Sequence, residues 1–479
     1  MLSLRRSTSR PALATVVAIA VLTTACGNQS VPTPSPSAVP SASAEPSPSA
    51  ARETVAPPSA SASQVAQIEQ PPVPSNVPLA PDSARVDLAM PTFSHPMEIT
   101  NPLFPVSRQE SVLFLGTVDE KPFRTEVTLL PYTRIVVWEG QQVETAVSQY
   151  LAYLDGRITE VAFDLYAQAD DGSVWYFGED VADFADGAIV TKEGTWLAGK
   201  DAPAAMIMPA APKVGDVFRT ENSPGFAFEE VTVKTVDATV DGPLGRLSGA
   251  LIMSELHMDG AIEDKTFAPG YGEFLTSGGG DVEALAMAVP QDAAGGPVPA
   301  ELATVTTGAM AIFDAASRKD WTAASAEVAK MTPAWATYRT GGVPRLVDPL
   351  ATVALDRLTK AVAAHDVVGA RQAAIDVARF GFDLELRYRP ATEVNLGRFD
   401  LMAAQVVLDA SASDIAGVNA DTFTLVYIRD RILKAVSPAD LGRLNTSLLD
   451  LQLATVDEDF GAASDAAARL REVASAALR

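Results

Sequence analysis

Near residue 290 the hydrophobic pattern of this chain changes its period, and that change restricts the architecture more than any other feature. Between Phe93 and about Val289, apolar and β-branched residues alternate or gather in short runs, as they do in strands. The runs include 111–118, 124–130, 134–138, 143–154, 158–167, 174–177, 231–240 and 247–257. They are separated by Glu139-Gly140, Asp155-Gly156, Asp171-Gly172, Asp241-Gly242 and Asp259-Gly260, residue pairs that tolerate the positive φ of tight turns. Short hairpin connections make neighbouring strands antiparallel, so 91–289 is expected to form a large curved sheet or a partly closed barrel with one face packed.

Past a Gly/Pro/Ala-rich linker at 290–299, apolar residues recur at steps of three and four, the spacing of one helix face. The pattern repeats. Asp320, Asp366, Asp414 and Asp459 are separated by 46, 48 and 45 residues, and each precedes an apolar residue: Trp321, Val367, Ile415 or Phe460. Before them run the stripes Leu302-Val305-Ala309-Ile312, Ala351-Leu355-Leu358-Val362, Leu396-Phe399-Ala403-Val406 and Leu441-Leu444-Leu448-Leu451. Each aspartate is placed to cap a second helix, because its carboxylate can accept the orphan N–H groups of a first turn. The fold class is therefore α+β, with four tandem helical hairpins over 300–479. Spacing alone does not choose between a superhelix and a closed bundle.

The chain starts with Arg5, Arg6 and Arg10, an uncharged, largely apolar run at 12–22, and small residues before Cys26. That is the layout of an export signal, and the run is shorter than the roughly 20 residues a membrane-spanning helix needs. Leu22-Thr23-Thr24-Ala25-Cys26-Gly27 resembles the bacterial lipobox, with Thr23 where leucine is usual. Cys26 is the only cysteine, which excludes internal disulfides, multi-cysteine zinc sites and dithiol chemistry. The resemblance implies an acylated Cys26 at the extracytoplasmic face of a bacterial membrane, with two chains supplying stable anchoring. Residues 26–90 form a Pro/Ser/Ala-rich segment expected to be a disordered tether. With 36 basic against 60 acidic residues, the net charge of −24 opposes binding to nucleic acid.

Familiar catalytic patterns are missing from the sequence: the three histidines, His95, His257 and His365, lack metal-ligand spacing, and there is no Gly-x-Ser-x-Gly elbow or phosphate-binding glycine loop. His257 reads as a strand end before a turn, and His365 as a residue at a helix junction. Asp170-Asp171-Gly172 fails as a calcium loop, since Ala167 and Ala169 stand where carboxylates belong and Gly178 where a glutamate belongs.

That segment reads instead as a hairpin. With Asp171-Gly172 as a two-residue turn, Gln168 falls opposite Trp175, Tyr166 opposite Phe177, and Asp164 opposite Glu179, all on one face. Two facing carboxylates need compensation: a bound divalent cation, a shared proton, or a nearby base such as Lys192. Asp164, Tyr166, Gln168, Trp175, Phe177 and Glu179 are thus the candidate ligand-binding residues.

The stretches 164–168 and 172–179 resemble an uncharacterised family of bacterial secreted proteins and lipoproteins with a β-rich domain. Further echoes are Asn101-Pro102-Leu103-Phe104-Pro105, Met208-Pro209-Ala210-Ala211-Pro212 with Val214-Gly215, and Phe267-Ala268-Pro269-Gly270-Tyr271-Gly272. The resemblance covers 93–288 and implies export and β architecture, without an activity to carry over. The functional expectation is a non-enzymatic envelope lipoprotein, with a small molecule or glycan on the β domain and a protein partner on the helices. A hydrolase working through Asp164 and Glu179, and a structural wall-associated spacer, are the alternatives.

Overall fold

The computed structural model describes residues 77–278 and 280–477. Cys26, the signal at 1–25 and most of the tether lie outside the described residues. Fourteen strands form one antiparallel sheet: β1 (Ser111–Val118), β2 (Lys121–Trp138), β3 (Gln141–Leu154), β4 (Arg157–Gln168), β5 (Val174–Ala185), β6 (Ala188–Thr191), β7 (Trp196–Leu197), β8 (Ala205–Met208), β9 (Val217–Ser223), β10 (Ala227–Asp241), β11 (Arg246–His257), β12 (Ile262–Ala268), β13 (Gly272–Gly278) and β14 (Asp281–Val289). Hydrogen bonding runs β6-β5-β4-β3-β2-β1-β14-β13-β12-β11-β10-β9, with β7 and β8 also paired to β5. The sheet does not close. Its two sequence halves meet where β1 pairs with β14, Ser111 facing Val289.

Turn chemistry sets the meander. Asp119-Glu120, Glu139-Gly140, Asp155-Gly156 and Asp186-Gly187 have positive φ at both positions, the geometry whose twist matches a two-residue hairpin. The tether's expected disorder does not extend to residue 90. Arg85 bridges to Val217, the Val86 N–H donates to the Val217 carbonyl at 2.8 Å, and the Ala80 N–H donates to Glu230 at 2.7 Å. This segment covers β9, an edge that would otherwise offer unpaired backbone groups.

Eight helices follow: α1 (Ala300–Ser317), α2 (Trp321–Arg339), α3 (Val347–Ala363), α4 (Val367–Glu385), α5 (Ala391–Ser411), α6 (Ile415–Arg431), α7 (Pro438–Val456) and α8 (Phe460–Ala477). Each of the four aspartates accepts from the N–H three residues on, Ala323, Gly369, Gly417 and Ala462, at 2.9–3.0 Å. The residue before each aspartate, Lys319, His365, Ser413 or Glu458, is left-handed with φ between 52° and 58°. It reverses the chain at the same point of every repeat.

The hairpins close into bundles. α1 packs on α4 as well as on α2, and α5 packs on α8 as well as on α6, which gives two four-helix units joined through α4 and α5. Their cores are separate: one includes Leu302, Ile312, Leu358 and Ile375, the other Phe399, Leu425, Leu448 and Leu470.

Sheet and helices belong to one compact unit. Leu113, Leu115 and Ala286 of the sheet enter the core of the first bundle, and Ala420 of α6 packs among Leu151, Tyr153, Ile158 and Phe184. Charge joins them too. Glu126 of β2 takes Arg124 at 2.6 Å and Arg431 of α6 at 2.5 Å, with Arg398 of α5 at 3.5 Å. Asp383 of α4 takes Arg124 and Arg398 at 2.7 and 2.6 Å. Nor is the 290–299 linker loose, since the Asp292 carboxylate accepts from Tyr271 Oη and the Ala288 N–H, both at 2.8 Å, while Arg387 donates to the Asp292 carbonyl.

Candidate functional site

The β4–β5 hairpin differs from its expected register. Asp171 Oδ1 accepts from both the Ser173 N–H and the Ser173 hydroxyl, and the Ala169 N–H donates to the Ser173 carbonyl, so the loop holds three residues instead of two. One extra residue slips the register by one and exchanges faces. Tyr166 therefore faces Tyr176, not Phe177, and Gln168 faces Val174, not Trp175. A bulge at Phe177-Gly178 then restores the original alignment, so Asp164 does face Glu179. Gly178 suits the bulge because its φ is 126° and a Cβ there would lie 2.2 Å from the Trp196 carbonyl oxygen.

The aromatics thus fall into two clusters on opposite faces. Tyr166 stacks on Tyr176 at 5.0 Å and meets Phe104 edge-on, while Tyr176 meets Trp196. Behind them, Trp175 and Phe177 pack on Trp138, and Phe177 on Phe93. All six candidate residues but Gln168 are buried, and Gln168 is structural: its Oε1 accepts the Thr100 and Asn101 N–H groups at 2.9 Å.

Asp164 and Glu179 are each 2 % exposed. Tyr176 Oη donates to Asp164 Oδ1 at 2.8 Å, and burial pushes the Asp164 carboxyl above its ordinary range. The phenol hydrogen bond works against that rise, because it favours the ionised carboxylate. Asp164 and Tyr166 also line an internal cavity of about 40 Å³ with Ser148, Tyr150, Glu273 and Phe104. At 10–15 Å³ per water that is space for a few waters, and a sugar ring does not fit without movement of the walls.

Four stretches distant in sequence converge beside this cavity. Asn101 donates to the Gly172 and Pro209 carbonyls at 3.0 Å and accepts the Leu103 N–H at 3.0 Å. The Gly270 N–H donates to the Pro102 carbonyl at 2.7 Å, and Phe104 packs on Phe267. One buried amide therefore ties the hairpin to the segments at 101–105 and 208–212. Asn101→Asp, which turns a double donor into an acceptor facing two carbonyls, should destabilise the chain by roughly 3 kcal/mol, read from the shift in its denaturant midpoint. Equal midpoints for the two proteins would refute this role.

A second cluster lies across β10, β11 and β12. His257 faces Glu229 across strands, Glu255 faces Glu263, and Met253 faces Lys265, all on the inner side. His257 Nδ1 is 3.5 Å from Glu229, and its Nε2 is 3.6 Å from Glu255 and 3.7 Å from Glu263. Lys265 Nζ is 2.7 Å from Glu255 Oε1. Burial disfavours an imidazolium here, but the surrounding carboxylates prevail and raise the His257 pKa to about 10. Burial together with the Glu229 charge raises that of Glu255 to about 7. Among the described residues, Glu229, Glu255 and His257 are the group of three donors close enough to share a metal ion. Reading His257 as a plain strand end missed this. The available signal was the inward alternation Leu251, Met253, Glu255, His257, in which charge replaces apolar side chains on the packed face.

No protein-family model matches the chain, and no curated protein matches it in sequence.

Proposed function

We propose that this protein is an exported, lipid-anchored component of the bacterial cell envelope whose folded body binds a ligand or partner and does not act as a catalyst. The carrying observation is the order of features at its start: basic residues, a short apolar run, small residues, then the single cysteine of the chain at Cys26, followed by a Pro/Ser/Ala-rich segment. Among the described residues no helix is long and apolar enough to cross a membrane, so membrane attachment in this reading rests on the lipid. The net charge of −24 favours partners other than nucleic acid.

Burial weighs against the hydrolase alternative at the hairpin. A glycosidase needs two carboxyls flanking a substrate bond, whereas Asp164 and Glu179 are enclosed, with a phenol already bound to Asp164. A small ligand of the β body suits this reading better than a glycan, and the paired helical bundles offer the surface for a protein partner.

Mass spectrometry of the protein extracted from membranes should find its N-terminal peptide starting at a lipid-modified Cys26, and Cys26→Ser should move the protein into the soluble fraction. An unmodified Cys26, or a mature end elsewhere, overturns the proposal.

A further inference from the structure

We infer that Glu229, Glu255 and His257 form a site for one divalent first-row transition-metal ion, with Glu263 as a fourth donor. The inference deepens the reading of the body as a binding protein by naming the class of ligand, and it does not depend on the lipid anchor.

Three observations carry it. The first is geometric: one ligand atom from each of Glu229, Glu255 and His257 lies within 4.8 Å of the others. They come from facing and next-but-one positions on adjacent strands, a rigid platform that small side-chain movements can draw onto a central ion. The second is unsatisfied polarity. His257 Nε2 and Glu263 Oε2 are buried, and the 3.7 Å between them exceeds hydrogen-bonding range. Glu255 is 1 % exposed, and its Oε1 is paired with Lys265 Nζ at 2.7 Å. An ion between His257 Nε2 and Glu263 Oε2 would satisfy both. The third is charge: three carboxylates surround one ammonium and one imidazole, and a divalent cation that displaces the imidazole proton would balance the two negative charges then left over.

One imidazole among oxygen donors favours zinc-like ions over magnesium or calcium, which take oxygen donors alone. The site lies beside the turn at 258–260, and His257 and Glu263 keep 14 % and 12 % side-chain exposure, which gives the ion an approach from solvent.

The full chain, stripped with a chelator, would be titrated with Zn²⁺ and Co²⁺ and with Mg²⁺ and Ca²⁺ as controls. One equivalent of Zn²⁺ or Co²⁺ should bind, raise the melting temperature reversibly and, for cobalt, give visible d–d bands without a thiolate charge-transfer band. His257→Gln and Glu255→Gln should each weaken zinc binding at least about ten-fold. Absence of a bound equivalent in the wild type, a thiolate band assigning the ion to Cys26, or unchanged affinity in a folded variant overturns the inference. Should either variant fail to fold, as judged by circular dichroism, Glu229→Gln takes its place under the same criterion.

Discussion

Removing the charge of Glu126 should destabilise the whole chain more than any other single substitution considered. Glu126 is buried, and burial opposes its ionisation, yet Arg398, Arg124 and Arg431 hold its pKa well below the carboxylate range. In Glu126→Gln, Arg431 keeps only Gln149 as a partner, at 2.5 Å, and Arg398 and Arg124 must share Asp383. Breaking one side of a buried ion cluster costs about 3–5 kcal/mol, which lowers a melting temperature by on the order of 10 °C. The paired change Glu126→Leu with Arg431→Met should recover much of the loss, because it leaves apolar contact where a lone charge would remain. A double-mutant cycle by thermal unfolding checks both statements, and additive losses would show that the two residues are not coupled.

The second large effect is expected from pH. Glu283 of β14 is buried, and burial reinforced by the nearby Glu273 carboxylate raises its pKa from 4.5 to about 8. The folded chain therefore binds a proton that the unfolded chain has released. Stability from this group is complete below about pH 4.5 and falls as pH rises towards about 8, with a limiting slope near 1.4 kcal/mol per pH unit. Asp164, also raised by burial, acts in the same direction. Melting temperatures should decline by several degrees across that window, and Glu283→Gln, which imitates the protonated acid, should flatten the decline. A wild-type profile as flat as the variant's would mean that Glu283 ionises normally.

Where hydrophobic period and local capping decide the outcome, the sequence was legible. The stripe at Leu302, Val305, Ala309 and Ile312 lies on a buried face, and the aspartates at intervals of 46, 48 and 45 residues cap second helices as their spacing implied. Closure into bundles was not legible, because it depends on contacts between α1 and α4 and between α5 and α8, which no local pattern encodes. At the hairpin, the same Asp-Gly pair makes a two-residue turn at Asp155-Gly156 and part of a three-residue loop at Asp171-Gly172. The difference lies in Ser173, whose N–H and hydroxyl both bind Asp171 and whose oxygen accepts Trp175 Nε1. The resulting slip moved Trp175 and Phe177 to the other face, and the bulge at Phe177-Gly178 kept Asp164 opposite Glu179. The cluster at His257 was obscured for another reason: its members on strands β10 and β11 are at least 26 residues apart, and only register brings them together.

The reach of the Glu126 network bears on the order in which the molecule can assemble. Glu126 and Arg431 are separated by 305 residues, and β1 must await β14 for its second neighbour. A chain emerging from its N-terminus can form the β2–β3 and β3–β4 hairpins early, since their contacts are local. The central carboxylate of the sheet cannot be buried with all its partners until α6 has emerged. β1 keeps an open edge until β14 has emerged, and Glu126 lacks its Arg431 partner until α6 has, so the last step in burying this carboxylate belongs to the C-terminal half of the chain.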